Sequence, residues 1–224
     1  ILLAIVFGII TSIIIFSQII SNAIDIHPTK VFSFFFGLIL ASIPYIMKGI
    51  SLFKIKNFVF FLTSIILSTA LLNLGYFENE NNTIFYIFLS GFICSCAMIL
   101  PGISGAYILL ILNSYDFILQ KLNNFLSNFE LDDFKWILIF IIGILTGILT
   151  FSKFVKFLLK KFKEVTIVSL SGLIIGSLPK LYPHNIKDLS TVFLIENLTD
   201  YIYMIIGLLF VILLNRFFKK NESN

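Results

Sequence analysis

Long apolar blocks separated by short polar segments dominate the pattern of this chain. Most blocks approach the roughly 20 residues that a helix needs to cross a bilayer. The alternation of apolar and polar positions that is typical of a lipid-facing β-strand is absent. The pattern therefore predicts an all-α polytopic membrane protein with seven apolar blocks, A to G, at residues 1–24, 31–47, 58–77, 84–119, 136–159, 165–178 and 201–218.

Two of these blocks, B and F, are short for a crossing, and both end in a proline, Pro44 and Pro179. Composition agrees with a membrane protein, because hydrophobic residues make up 58% and charged residues 12% of the 224 positions, outside the range of soluble domains. The net charge of +4 is what basic cytoplasmic loops produce, so we expect no nucleic-acid partner. We expect Cys94 and Cys96 to be reduced thiols and expect no metal or cofactor, because their spacing alone does not make a zinc site.

An internal repeat divides the chain. Sliding the sequence by 135 residues pairs residues 8–44 with residues 143–179 and gives 11 identities in 37 pairs, where roughly four are expected by chance. Blocks A, B and C then correspond to E, F and G, and block D heads the second copy. We expect residues 1–77 to be the remainder of a first repeat and residues 78–224 to be the second. The counterpart of block D is expected ahead of Ile1, outside this sequence.

Loop charges predict the orientation of each block, because basic loops stay in the cytoplasm. Block C then runs from inside to outside, E from outside to inside, F outward, and G inward to a cytoplasmic C-terminus. Blocks A and E run in opposite directions, so the repeats are expected to have inverted topology, which is typical of transporters. The basic side is marked by Lys48, Lys54, Lys56, Lys153, Lys156, Lys160, Lys161, Lys163, Arg216, Lys219 and Lys220, and the acidic side by Glu78, Glu80, Glu130, Asp132 and Asp133.

Block D begins and ends on the outer side in this topology, so it cannot be a single crossing. Its centre holds Pro101-Gly102-Ile103-Ser104-Gly105, and proline with paired glycines disfavours a helix interior. Two arrangements remain open: a re-entrant hairpin over residues 84–119, or two full spans that meet at Pro101-Gly102. We favour the hairpin, because a turn that reached the cytoplasm would bring charged neighbours, and none is present.

The centre of block D is also a candidate anion site. Broken helices at membrane depth line cavities or ligand sites, and the N–H groups at a helix start attract anions. The hydroxyl of Ser104 adds a hydrogen-bonding group beside them. A helix kink packed against a neighbour explains the pentapeptide equally well.

The run of residues 98–109, Met-Ile-Leu-Pro-Gly-Ile-Ser-Gly-Ala-Tyr-Ile-Leu, followed by Tyr115-Asp116, resembles the second signature of the bacterial and archaeal polyprenyl-phosphate translocases. Residues 34–39, 151–153 and 172–178 also resemble that family. The resemblance extends from about Gly8 to about Pro183 and implies a flippase that returns undecaprenyl phosphate from the outer to the inner leaflet of the cytoplasmic membrane. The family usually has an arginine where Lys153 stands and a glycine where Asn113 stands.

The resemblance implies a lipid-phosphate site rather than an enzyme centre. Lys153 is the candidate cation, unless it is a snorkelling anchor, and Asp116 is the candidate for ion coupling, unless it is an interfacial helix end. A small-anion transporter or channel, or a membrane lipid phosphatase, remains an alternative, although the apolar blocks hold no paired acids or metal cluster for hydrolysis. The head-group residues are Pro101, Gly102, Ser104, Gly105, Ser152 and Lys153, with Ser17 and Gln18 as first-repeat counterparts.

Overall fold

The computed structural model describes residues 2–75, 83–181 and 198–222, and within these ranges the regular structure is helical, with no β-strand. Glu78, Glu80 and the end of block C lie outside the described residues. The helices are α1 (Leu2–Ile26), α2 (Pro28–Ile46), α3 (Ile55–Leu72), α4 (Ile84–Ile99), α5 (Gly105–Ile111), α6 (Tyr115–Asn128), α7 (Leu131–Lys161), α8 (Lys163–Leu181) and α9 (Leu198–Glu222).

Six of these helices, α1, α2, α3, α7, α8 and α9, are long and apolar enough to cross a membrane. The chain is therefore an all-α multi-pass membrane protein, which confirms the predicted fold class. Helix α7 extends beyond block E at both ends, with Asp132 and Asp133 in its first turn and Lys160 and Lys161 in its last turn. Acids at the start and bases at the end of a helix complement its dipole and stabilise these extra turns.

The helices of blocks B and F do not end at their prolines. Helix α2 includes Pro44 and ends at Ile46, and α8 includes Pro179 and ends at Leu181, so each has 19 residues. A proline in the last turn removes a single helical hydrogen bond, which is a small loss compared with a break in the helix centre. Both helices are therefore long enough to span, contrary to the impression from the apolar blocks alone.

The helix boundaries follow the 135-residue spacing of the repeat. Helices α2 and α8 begin and end 135 residues apart, and α1 and α7 end at residues 26 and 161. The hydroxyl of Ser42 donates to the carbonyl of Ile39, and that of Ser177 donates to the carbonyl of Ile174, both at 2.7 Å. These two bonds are again 135 residues apart, which supports the repeat hypothesis without testing its boundaries.

Two compact units, residues 1–45 with 178–224 and residues 46–177, make up the chain. In the first unit, Gly37 of α2 lies against the backbone of Met204 in α9; in the second, Gly172 of α8 lies against the backbone of Phe61 in α3. Gly37 and Gly172 are repeat partners. In each unit, the second helix of one predicted repeat thus packs on the third helix of the other repeat: α2 on α9, and α8 on α3. The units therefore differ in extent from the division at residue 77, which stays a prediction.

Helices α3 and α8 run in the same direction. Gly172 contacts the backbone of Phe61, and Gly176, one turn later, contacts the backbone of Ile65. Residue numbers rise together along both helices, so the two helices are parallel. The loop charges require this, since they send blocks C and F both outward, but the assignment of inside and outside stays a prediction.

Candidate functional site

Helices α4 and α5 form a hairpin. Between them the chain turns at residues 100–104, and the hydroxyls of Ser90 in α4 and Ser114 after α5 are hydrogen-bonded at 2.8 Å. The hydroxyl of Tyr86 donates to the carbonyl of Leu112 at 2.5 Å. Since α4 continues nine residues past Ser90, the turn lies about 13 Å beyond the serine pair. We call residues 100–104 the tip.

The arms of the hairpin are too short for two full spans. Helix α4 has 16 residues and α5 has seven, which correspond to about 24 Å and 10 Å, less than the roughly 30 Å of a bilayer core. The second half of block D is not one helix, because a break at residues 112–114 separates α5 from α6. These helix lengths favour the hairpin over two full spans, and its re-entry into the membrane stays a prediction.

Asn113, in that break, has a φ of 51°. This left-handed conformation favours glycine, and asparagine tolerates it better than most other residues. Asparagine at this position is therefore compatible with the turn.

Gly102 at the tip is required for two separate reasons. Its φ is 87°, a conformation that residues with a side chain rarely adopt. A Cβ on Gly102 would also lie 2.6 Å from Oγ of Ser177 and 2.9 Å from the carbonyl oxygen of Leu173, both in α8. The tip therefore lies directly against α8, and only glycine allows this approach.

Ser104 caps α5. Its hydroxyl oxygen accepts a hydrogen bond from the backbone N–H of Tyr107 at 3.4 Å. Ser104 and Gly102 are exposed, and Pro101 is half-buried. The hydroxyl proton of Ser104 can still be donated to a ligand, so its capping role is compatible with phosphate binding. Since α5 has only seven residues, its dipole attracts an anion less than the dipole of a longer helix would.

Gly105, the first residue after the tip, differs from Gly102 and Ser104 because it is buried against α4. A Cβ at this position would lie 2.5 Å from Cγ of Met98 and 3.0 Å from Sγ of Cys94. Close packing of α4 and α5 therefore explains this glycine without a ligand. Its expected part in head-group binding stays a prediction.

Helices α3 and α8 supply the wall beside the tip. The hydroxyl of Ser68 donates to the carbonyl of Leu173 at 3.0 Å, and that of Tyr107 donates to the carbonyl of Leu72 at 2.8 Å. The sequence-based site did not include Ser68, Tyr107 or Ser177. The sequence could have pointed to two of them, since Ser177 belongs to the repeat alignment and Tyr107 to the signature. Nothing distinguishes Ser68 from the other serines of α3.

Lys153 lies at the level of the tip. Gly143 contacts the backbone of Phe88, and Gly147 contacts the backbone of Phe92, so α4 and α7 run parallel with an offset of 55 residues. This offset places Lys153 beside the position of Met98, in the last turn of α4. The side chain of Lys153 is exposed and has no hydrogen-bonded or ionic partner within the described ranges.

The remaining predicted residues are not at the tip. Ser152 is exposed on α7 and donates back to the carbonyl of Leu149 at 3.3 Å. Asp116 is exposed in the first turn of α6, at the open end of the hairpin, where the helix dipole stabilises an acid. Ser17 and Gln18 are exposed on α1 in the first compact unit.

Comparisons with known proteins agree with the sequence signatures. A family model described as undecaprenyl phosphate translocase-like matches residues 1–192. A polyprenyl-phosphate transporter of Vibrio cholerae is 37% identical over 176 residues, which cover 79% of this chain and 54% of the relative. A polyprenyl-phosphate transporter of Staphylococcus aureus is 26% identical over 195 residues, 81% of this chain and 68% of the relative.

No solved structure matches the chain. The chain spans about half the length of the Vibrio cholerae relative, at 54%. The family match, in contrast, covers most of the chain and includes the hairpin and its tip. On this evidence, the chain belongs to the undecaprenyl phosphate translocase-like family.

Proposed function

We propose that this protein carries undecaprenyl phosphate from the outer to the inner leaflet of the cytoplasmic membrane and returns the lipid carrier for reuse, without catalysing a chemical step. Membership of the translocase-like family carries this proposal. The names of two relatives as polyprenyl-phosphate transporters support it. The multi-pass fold and the hairpin supply a site where a head group can meet a broken helix within the membrane.

The phosphate head group binds at the tip in this proposal. Pro101, Gly102 and Ser104 are accessible there, and the turn leaves backbone N–H groups and the hydroxyl of Ser104 to donate to phosphate oxygens. Gly102 sets the distance between the tip and α8. Gly105 contributes by keeping α5 against α4.

Lys153 supplies the positive charge for the phosphate. It stands at the axial level of the tip and has no acidic partner among the described residues. A phosphate monoester carries about −1.5 to −2 charges at neutral pH, which a lysine ammonium balances only in part. Lysine acts as a point charge rather than as the two-pronged donor that arginine provides, so the donors of the tip must fix the orientation. Ser152, next to Lys153 in the chain, is proposed to assist.

Exchange between the inverted repeats moves the head group across the membrane while the prenyl tail stays in the bilayer. The first-repeat positions Ser17 and Gln18 take part as the counterparts of Ser152 and Lys153, and the C-terminus faces the cytoplasm. Moving charge across the membrane potential involves about 2.3 kcal/mol per unit charge per 100 mV. An ion gradient can supply this free energy, and Asp116 is the proposed ion-coupling residue.

The test measures outer-leaflet undecaprenyl phosphate in cells depleted of other carriers, with and without the full-length protein. We expect the outer-leaflet pool to fall when the protein is made. A Ser104→Trp variant that inserts at the same level is the control and should leave the pool high. An unchanged pool with the native protein would falsify the lipid proposal. Uptake of inorganic phosphate into proteoliposomes would instead indicate a small-anion transporter.

A further inference from the structure

A cavity of about 550 Å³ lies in the first compact unit, between α1, α2 and α9. Aliphatic side chains of α1, Phe34 and Phe35 of α2, and Tyr203 of α9 line most of its wall. Ile19 and Ile26, which also line it, are 58% and 69% exposed, so the cavity opens to the surroundings of the helices.

The cavity has one polar end. His27 and Lys30 line it where α1 gives way to α2, and the other lining residues of these two helices follow in the direction away from that junction. From His27 the wall extends along α1 to Ile19, a distance of about 12 Å for eight residues. A hydrocarbon chain can therefore lie along the apolar wall while a polar group stays at the junction.

The polar end of the cavity carries a positive charge without a salt bridge among the described residues. Lys30 is half-buried, and its ammonium lies 5.9 Å from the ring centroid of Tyr203. It forms no salt bridge with an acid of the described residues. Asp25 and Asp200 are the acids of these helices nearest the junction, and neither lines the cavity. A lysine that only snorkels to the interface would have the same charge, but it would not stand over an apolar cavity of ligand size.

We propose that this cavity is a loading site for polyprenyl phosphate, with the phosphate at Lys30 and His27 and the adjoining isoprenoid units against Phe34, Phe35 and Ala23. The proposal rests on the proposed function and adds a second binding site to the tip. A single-chain lipid with a doubly charged phosphate suits one apolar cavity with a basic end better than a two-chain, singly charged phospholipid does. The loop charges place the α1–α2 junction on the outer side, where the lipid is collected.

The experiment uses the full-length protein in phosphatidylcholine nanodiscs and a polyprenyl phosphate with a photoreactive group in its first isoprene units. Mass spectrometry locates the adducts. We expect adducts on the cavity wall, especially on Phe34 and Tyr203. Excess unlabelled polyprenyl phosphate should abolish them, and the same excess of phosphatidylglycerol should not.

Two pairs of variants separate the head group from the chain. Lys30→Gln removes the charge, and Ala23→Phe fills the cavity; each should weaken cavity labelling about tenfold, the loss of roughly one charged or apolar contact. Lys48→Gln and Ala4→Phe make the same changes at exposed positions outside the cavity and should leave labelling unchanged.

Each result bears on a different proposal. Normal labelling of both cavity variants, or equal competition by phosphatidylglycerol, overturns the loading site. Native protein that transports the lipid but gives adducts only outside the cavity overturns the loading site and leaves the proposed function intact. Native protein that neither binds nor transports polyprenyl phosphate overturns both.

Discussion

At the scale of single residues, Gly102 is under two constraints, a positive φ and a close contact with α8, whereas Gly49 is under only the first. Both have a positive φ, 87° and 81°. A Cβ on Gly102 would meet Ser177 and Leu173, whereas a Cβ on Gly49 would meet nothing within 4 Å. Backbone strain and loss of the tip contact therefore have different signatures when each glycine is replaced.

Gly102→Ala should abolish most transport, and Gly49→Ala should leave most of it. Left-handed backbone costs a residue with a side chain about 1–2 kcal/mol at either position, but only the change at Gly102 also pushes the tip away from α8. Lipid transport by equal amounts of inserted protein is the measurement. Similar losses in the two variants would mean that strain alone, and not the tip contact, accounts for the effect.

Lys153 and Lys160 are both exposed lysines of α7. Lys153 lies beside the last turn of α4, whereas Lys160 is seven residues, about 10 Å, further along α7. We predict that Lys153→Gln lowers transport about tenfold, the cost of roughly one charge-assisted contact. Lys160→Gln should have little effect, because it removes only an interfacial anchor. Lys153→Arg should retain activity. Equal effects of the two glutamine variants would contradict a role of Lys153 at the tip.

At the scale of helices, glycines set how closely neighbouring helices approach. Gly143 and Gly147 of α7 lie against the backbone of α4, and Gly147 also lies against the hydroxyl of Ser95. Small residues at helix contacts are a common way to stabilise membrane bundles, where the hydrophobic effect contributes little. This packing fixes the position of the hairpin, and with it the position of the tip.

Gly147→Leu should destabilise the protein, whereas Gly75→Leu should not. Leucine favours a helix over glycine, so a loss of stability at Gly147 can come only from overlap. A Cβ on Gly75, after the end of α3, would meet nothing within 4 Å, whereas one on Gly147 would collide with α4. Overpacking costs about 1–3 kcal/mol. The midpoint of thermal unfolding in detergent should fall for the first variant and stay level or rise for the second.

At the scale of the whole molecule, sequence patterns predicted most of what depends on local chemistry. Apolar length located the spanning helices, and the proline and glycines of block D located the tip. The partners of the tip could not be predicted, because Gly102 meets Ser177 through packing of residues 75 positions apart. Helix α2 begins three residues before block B, at Pro28, and α8 ends three residues after block F, because a proline in the last turn does not stop a helix.

The predicted topology places both ends of the segment that holds the hairpin, residues 84–131, outside the cell. Labelling of single cysteines can test this prediction. The background is a protein in which Cys94 and Cys96 are replaced by alanine. Thr83→Cys and Asp132→Cys flank the segment, whereas Lys160→Cys lies at the far end of α7. A membrane-impermeant maleimide applied to intact cells should label the first two and should label Lys160→Cys only after permeabilisation. The cysteine-free protein, which must still transport lipid, is the control. Labelling of Thr83→Cys and Asp132→Cys from opposite sides would mean that the segment crosses the membrane, because a hairpin returns the chain to the side on which it entered.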